Sequence, residues 1–113
     1  MTTPVLNPFK VEWRAAEPRE ALDASSFTLD YEKSKFDVVE LTHTGKHGRL
    51  TCCTEPVLSA RMKELGVNNR WLFLGRLTIS PRSGPQNDFR FHARDADECK
   101  RIGLGLWFGF LIG

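Results

Sequence analysis

The chain of 113 residues has little cysteine and no long apolar run. Its three cysteines are an odd number, and Cys52 and Cys53 are adjacent, which is unsuited to a disulfide framework and favours free thiols. No segment reaches the roughly 18 to 20 apolar residues that span a bilayer, and the N-terminal stretch lacks the basic and apolar regions of a secretory signal. We therefore expect a cytoplasmic protein with no membrane partner.

Motifs of common catalytic and cofactor sites are also missing. The sequence has no G-x-S-x-G elbow, no phosphate-binding G-x-x-x-x-G-K-[ST] loop, no H-E-x-x-H pair and no G-x-G-x-x-G fingerprint. Its carboxylates lie in charged stretches, where no general acid and base pair stands out. We predict a non-enzymatic protein with no catalytic residue, no cofactor and no metal.

One histidine and cysteine cluster offers an alternative to that prediction. His43, His47, Cys52 and Cys53 lie within eleven residues. The familiar C-x₂-C spacing of zinc sites is absent, and adjacent cysteines on a strand point to opposite faces. A cysteine nucleophile needs an electropositive setting, for which only Arg49 is nearby in the sequence. A metal-dependent enzyme is thus the most distant of three functional hypotheses.

The periodicity predicts a single α+β domain over residues 1–113, with about six mainly antiparallel strands. The predicted strands are 27–32, the two arms of a hairpin over 36–53, 70–80, 89–94 and a C-terminal strand at 103–113. The two glycines of TGKHG predict a hairpin loop of about five residues. The predicted helices are a clear one at 55–65, a short one at about 96–102 and a further short one at 15–24. Asp95 and Glu98 resemble a capping box that begins the helix at about 96.

The C-terminal stretch GLGLWFGFLIG fits two structures. As a strand, it places large apolar side chains on one face and Gly105, Trp107 and Gly109 on the other. As a helix, it spaces glycines by four residues, as in close helix pairs, but each interior glycine costs a helix nearly 1 kcal/mol relative to alanine. We predict the strand. Its glycine face would admit the close approach of another element, either from this chain or from a second molecule in self-association.

The charge is uneven along the chain. Residues 1–56 carry seven Lys and Arg against nine Asp and Glu, whereas residues 57–113 carry nine against five. Arginine binds phosphate and carboxylate groups in a bidentate manner, so the second half is expected to meet an acidic partner. The predicted partner-binding residues are Arg70, Trp71, Arg76, Arg82, Arg90, His92 and Arg94.

These features favour a stoichiometric binding protein: an inhibitor, adaptor or assembly subunit that docks onto a larger protein or nucleoprotein complex with an acidic surface. The first alternative is a direct single-stranded nucleic-acid-binding protein, because arginines combined with exposed rings such as Phe73 and Phe91 hold single strands on sheet surfaces. That alternative requires the rings and the arginines to share one side of the sheet. Otherwise the rings form the core and the arginines form a solvated face.

The stretch FRFHARDADECKRI, residues 89–102, resembles the last strand and the start of the final helix of pleckstrin-homology domains. Ile102 stands where the helix of that family carries a tryptophan, and the residues after it are rich in glycine. No site residue is carried over from the resemblance.

Overall fold

The fold is an antiparallel sheet with one helix packed on one side. The computed structural model describes residues 11–20, 35–55, 65–66, 73–81 and 83–112. In order, its elements are β1 (Arg14–Ala15), a 3₁₀ turn (Pro18–Glu20), β2 (Phe36–His43), β3 (Lys46–Cys53), β4 (Phe73–Ser80), β5 (Asn87–Ala93) and α1 (Ala96–Ile112). The five strands neighbour one another in sequence order, each antiparallel to the next. The predicted α+β class is confirmed.

The predicted hairpin over 36–53 is confirmed, but its turn is tighter than expected. The strands pair from Phe36 opposite Cys53 to His43 opposite Lys46. This pairing leaves a two-residue turn of Thr44 and Gly45, both with positive φ (50° and 76°). Such turns match the twist of the flanking strands, so the ladder extends further than the glycines alone suggested.

The core lies between the sheet and α1. Side chains alternate along each strand, and one side of the sheet is apolar across every main strand: Val39, Leu50, Leu77 and Phe89 form one cross-strand row. From the helix, Cys99, Leu104 and Trp107 are buried against this side. The hydrophobic effect thus decides which side of the sheet α1 covers.

Two glycines allow α1 to lie close to β3. A Cβ at Gly48 would stand 2.7 Å from the ring of Trp107, and a Cβ at Gly103 would overlap the side chain of Leu50. Trp107 is therefore seated on strand backbone, with only 2% of its surface exposed. The helix backbone approaches the strand at Gly103 because glycine has no side chain there.

The predicted C-terminal strand at 103–113 is wrong, because residues 103–112 continue α1. The predicted short helix ending at 102 and the count of six strands are not confirmed either. Large and small residues alternate here in a pattern that fits both the two-residue period of a strand and the 3.6-residue period of a helix. Burial decides between the two structures. Leu104 and Trp107 face the sheet at helical spacing, whereas Gly105 and Gly109 are exposed.

The start of α1 was predicted correctly. Asp95 Oδ1 accepts a hydrogen bond from the backbone N–H of Glu98 at 2.7 Å, as an N-cap does. Glu98 in turn accepts one from the backbone N–H of Arg94 at 3.3 Å. The bond to Asp95 satisfies one of the N–H groups that a helix leaves without partners at its first turn, and the bond from Arg94 ties the preceding residue to the same turn.

Other predicted elements lie wholly or partly outside the described residues. These are the strand at 27–32, nearly all of the helix at 55–65, the first residues of the strand at 70–80 and the second half of the helix at 15–24. The first half of that last helix is replaced by β1 and the 3₁₀ turn. Within the described part of the chain, no helix is both long and apolar enough to cross a membrane.

The N-terminal segment is tied to the core through Lys100. Its Nζ lies 2.9 Å from a carboxylate oxygen of Asp37 and 4.6 Å from the ring centroid of Trp13. The ammonium group therefore joins α1, β2 and the residues before β1 in one contact. This arrangement positions β1 at the edge of the sheet.

Two alanine substitutions in α1 are expected to change the free energy of unfolding in opposite directions, because the two glycines have different surroundings. Gly105→Ala should raise the free energy of unfolding by about 0.5–1 kcal/mol, because alanine favours the helix and nothing described lies within 4 Å of its Cβ. Gly103→Ala should lower it by about 1–2 kcal/mol, because overlap with Leu50 outweighs the same helix gain. Urea unfolding measures both. Effects of the same sign would contradict this packing of α1.

Candidate binding face of the sheet

The side of the sheet opposite α1 carries most of the charge. Register places Glu40, Arg49, Thr78 and Asp88 in one cross-strand row, and Arg76 and Arg90 in the next. Arg14 lies on the same side, because it pairs with Val38. We call this surface the charged face; it comprises Arg14, Glu40, Arg49, Arg76, Asp88 and Arg90, with Glu20 from the 3₁₀ turn.

Glu20 is the centre of one group of ion pairs on the charged face. Arg14 donates to both of its carboxylate oxygens at 2.8 Å. The same arginine reaches Glu40 at 3.2 Å, and Arg49 Nε donates to Glu40 at 2.9 Å. The hydrogen bond from Arg14, together with one from the backbone of Glu17, lowers the pKa of Glu20 from its ordinary 4.5 to about 2. Glu20 is thus ionised at every physiological pH.

Asp88 is the centre of a second group. Arg76 binds it in a bidentate manner, with Nε at 2.9 Å from one oxygen and Nη2 at 3.2 Å from the other. Arg90 Nε lies 3.5 Å from the second oxygen. The hydrogen bond from Arg76 holds the pKa of Asp88 below its ordinary value. Both guanidinium groups are therefore oriented by one carboxylate.

A cleft opens where the 3₁₀ turn meets this face. It has a volume of about 280 Å³, and its lining includes Arg19, Glu20, Arg49, Arg76, Thr78 and Ser80. A second cleft of about 380 Å³ includes Arg14 and Glu17 in its lining and shares Arg19, Glu20 and Arg49 with the first. The turn thus makes part of the charged face concave.

The structure brings together only some of the residues predicted from the sequence. Arg76 and Arg90 lie on the charged face, and His92 follows on the same side of β5. Arg94 lies beyond the strand, where its Nε donates to Glu98 at 3.2 Å. Arg70, Trp71 and Arg82 lie outside the described residues. Their role in partner binding stays a prediction.

Sequence reasoning missed Arg14, Glu20, Glu40 and Arg49. A hairpin drawn with the correct register would have placed Glu40 opposite Arg49. No local pattern connects Arg14 and Glu20 to the hairpin, since β1 has only two residues. The acidic first half of the chain therefore contributes to a surface that was predicted from the basic second half alone.

The phenylalanine rings of β4 and β5 lie on the other side of the sheet from the arginines, whereas Phe36 of β2 lies on the arginine side but is only 6% exposed. Phe89 and Phe91 pack against the core beneath α1, as does Phe73. The ring of Phe91 fills the space where Gly75 has no side chain. The nucleic-acid hypothesis requires exposed phenylalanine rings beside the arginines, and the described strands place none there.

The predicted face of Gly105, Trp107 and Gly109 does not form. Trp107 is buried against the sheet, whereas Gly105 and Gly109 lie on the outer surface of α1, with no described atom within 4 Å of either Cβ position. The three residues do not share a face, because the segment is a helix. The close intramolecular approach occurs at Gly103 instead. Self-association through Gly105 and Gly109 stays a prediction.

The sheet divides the cluster of histidines and cysteines between its two sides: His43 and Cys52 lie on the side that faces α1, and His47 and Cys53 on the other. Cys52 lies in the core with Cys99, and Cys53 on the opposite side donates its thiol to the carbonyl of Glu55 at 2.7 Å. The hydrogen bond with Cys99 and burial raise the pKa of Cys52, and burial raises that of Cys53 to about 11. Within residues 11–20, 35–55, 65–66, 73–81 and 83–112, no three His, Cys, Asp or Glu side chains are grouped to hold a metal ion.

Comparison of the chain with protein-family models, with curated proteins and with solved structures yields no match. The resemblance of residues 89–102 to pleckstrin-homology domains has no support from these comparisons. Function must therefore be argued from the residues of the charged face themselves.

The lowered pKa of Glu20 predicts a pH-dependent stability. A group whose pKa is lower in the folded state stabilises the fold above its ordinary pKa and loses that contribution as pH falls through the folded value, here from about pH 5 to about pH 2. Glu20→Gln should thus be less stable at neutral pH and should lose less stability on acidification. Urea unfolding across this range measures the slope. Glu12→Gln serves as the exposed control, and a wild-type slope in Glu20→Gln would contradict the pairing.

The buried thiols predict slow chemical modification. Cys52, Cys53 and Cys99 are each at most 1% exposed, and thiolates are the reactive form. N-ethylmaleimide should leave the native protein unlabelled and should label all three cysteines in denaturant, as read by mass spectrometry. Rapid labelling of Cys53 in the native state would instead reopen the cysteine-nucleophile hypothesis.

Proposed function

We propose that this protein is a non-enzymatic, stoichiometric binding protein that uses the charged face to dock onto an acidic surface of a larger protein or nucleoprotein complex. An inhibitor, an adaptor and an assembly subunit all fit this description. The observation that supports the proposal is the set of four arginines on one side of the sheet, held in place by internal carboxylates: Arg14, Arg49, Arg76 and Arg90.

These arginines are both reachable and oriented. The side chains of Arg14, Arg49 and Arg90 are 43–48% exposed, and that of Arg76 is 29% exposed. A flexible arginine loses rotamer freedom when it binds, at a cost of about 0.5–1.5 kcal/mol. A guanidinium group already oriented by a carboxylate has lost much of that freedom before the partner arrives. The internal ion pairs therefore favour binding.

The same ion pairs contribute little to folding. Exposed pairs stabilise proteins by about 0–1 kcal/mol, whereas an interfacial arginine is often among the residues that dominate binding. Arg76 retains unused N–H donors after its two bonds to Asp88, because a guanidinium group has five. A carboxylate of the partner can thus bind without displacing Asp88.

Direct binding of single-stranded nucleic acid is the second candidate. The arginines support it, since phosphate contacts supply most of the affinity of such proteins. The position of Phe73 and Phe91 beneath α1 weighs against it, because among the described residues bases would find no exposed phenylalanine, tyrosine or tryptophan ring beside the arginines. The protein partner is therefore preferred.

The double variant Arg49→Gln/Arg76→Gln tests the proposal. Arg101→Gln is the matched control, because Arg101 is exposed on α1, away from the charged face. Each form is used to capture proteins from the native host, and a partner found by quantitative mass spectrometry is purified and titrated. We expect the double variant to weaken binding by at least about tenfold, or 1.4 kcal/mol, and the control to bind like the wild type.

Two outcomes would contradict the proposal. Equal affinity of the wild type and the double variant for the partner would place the interface elsewhere. Salt-dependent binding to a single-stranded oligonucleotide, lost in the double variant, with no protein partner of comparable affinity, would favour the nucleic-acid candidate. Circular dichroism of each variant checks that it remains folded.

A further inference from the structure

The cleft beneath the 3₁₀ turn has the lining of an oxyanion site. Arg19 comes from the turn, Arg49 from β3 and Arg76 from β4, so three guanidinium groups reach one cavity from three elements. Thr78 and Ser80 follow Arg76 at alternate positions of β4 and add two hydroxyl groups on the same side. Every one of these groups donates hydrogen bonds.

The charge of the lining is positive. The lining residues include three guanidinium groups and one carboxylate, that of Glu20. Each guanidinium group is also ion-paired: Arg19 with Glu17, Arg49 with Glu40 and Arg76 with Asp88. Glu20 does not compete for the cavity as a free acceptor, because both of its oxygens accept from Arg14. Its 2.9 Å bond from the backbone of Glu17 also fixes it to the turn. An anion from outside would therefore bind to the donor groups that these ion pairs leave unused.

Donor groups remain for that anion. Arg49 uses Nε toward Glu40, and Arg76 uses Nε and Nη2 toward Asp88. The Nη1 group of Arg76 and both Nη groups of Arg49 make no hydrogen bond within the described residues. Several guanidinium donors combined with hydroxyls suit the three terminal oxygens of a phosphate monoester better than the two oxygens of a carboxylate.

We propose that this cleft binds the phosphoryl group of a phosphorylated serine or threonine side chain on the partner protein. The inference rests on the proposed function and names the chemical group that the charged face recognises. A protein is preferred to a nucleic acid because the donors converge on one concave site, whereas the described surface beside it offers no exposed phenylalanine, tyrosine or tryptophan ring for a base. Free phosphate and nucleic acid have the same phosphate chemistry and are distinguished by the experiment.

The test is a nuclear magnetic resonance titration of the whole, isotope-labelled chain. The probes are a blocked Gly-phosphoserine-Gly peptide, its unphosphorylated counterpart, inorganic phosphate and a short single-stranded oligothymidine. The phosphopeptide should shift the backbone amides of Arg49, Thr78 and Ser80 while leaving Gly105 on α1 unchanged. It should bind at least about tenfold more tightly than the unphosphorylated peptide or inorganic phosphate.

Two variants locate the binding. Arg19→Gln should weaken phosphopeptide binding without altering the fold, because the Arg19 side chain is 86% exposed and, within the described part of the chain, its ion pair is with Glu17 at 3.2 Å. Arg49→Gln should weaken it further. Arg101→Gln, on α1, should bind like the wild type. Unchanged binding in both Arg19→Gln and Arg49→Gln would overturn the assignment to this cleft.

The other outcomes separate this inference from the proposed function. Equal affinity for inorganic phosphate would assign the cleft to free phosphate, and tighter binding of oligothymidine would assign it to nucleic acid; either result overturns the inference. If no probe shifts the cleft residues but Arg49→Gln/Arg76→Gln still abolishes binding to the protein partner, the inference fails and the proposed function stands. The reverse result, a phosphopeptide site with no effect of that double variant on the partner, would contradict the proposed function alone.

Discussion

The packing of α1 against the backbone of β3 is the interaction on which the other features depend. Trp107 reaches full burial only because Gly48 has no side chain beneath its ring, and Gly103 lets the helix approach Leu50. Larger residues at either glycine would push the helix outward and expose apolar surface, whose burial supplies roughly 25 cal/mol per Å². A short helix rich in glycine is thus stabilised by tertiary packing and not by its own propensity.

Covering one side of the sheet with α1 leaves the opposite side for charge. Because side chains alternate along each strand, Leu50 and Leu77 enter the core and their neighbours Arg49, Arg76 and Thr78 face away from it. Register then decides which charges meet. A slip of one residue between β2 and β3 would separate Glu40 from Arg49 and would turn Leu50 outward. Core packing and the ion pairs therefore specify the same pairing of strands.

The charged face combines two properties that are usually separate. Its ion pairs are exposed, so that each contributes little to stability. They nevertheless hold guanidinium groups in position, because Glu20 and Asp88 each bind more than one arginine. The 3₁₀ turn makes part of this surface concave by adding Arg19 and Glu20 above β3 and β4. A rigid sheet thereby presents donor groups in a fixed arrangement, which favours recognition of an anionic group over nonspecific attraction.

The sequence alone determined the hairpin over 36–53, the capped start of α1 at Asp95 and the alternation that separates Phe91 from Arg90, because each depends on neighbours within a few residues. It also indicated that arginines of the second half lie on an exposed surface. Only the tertiary structure decided between strand and helix for 103–112, since the alternation of large and small residues fits both periods and the burial of Trp107 over Gly48 selects one. Only the tertiary structure brought Arg14 and Glu20 to Arg49, because their contact depends on a two-residue strand at the sheet edge that no local pattern predicts.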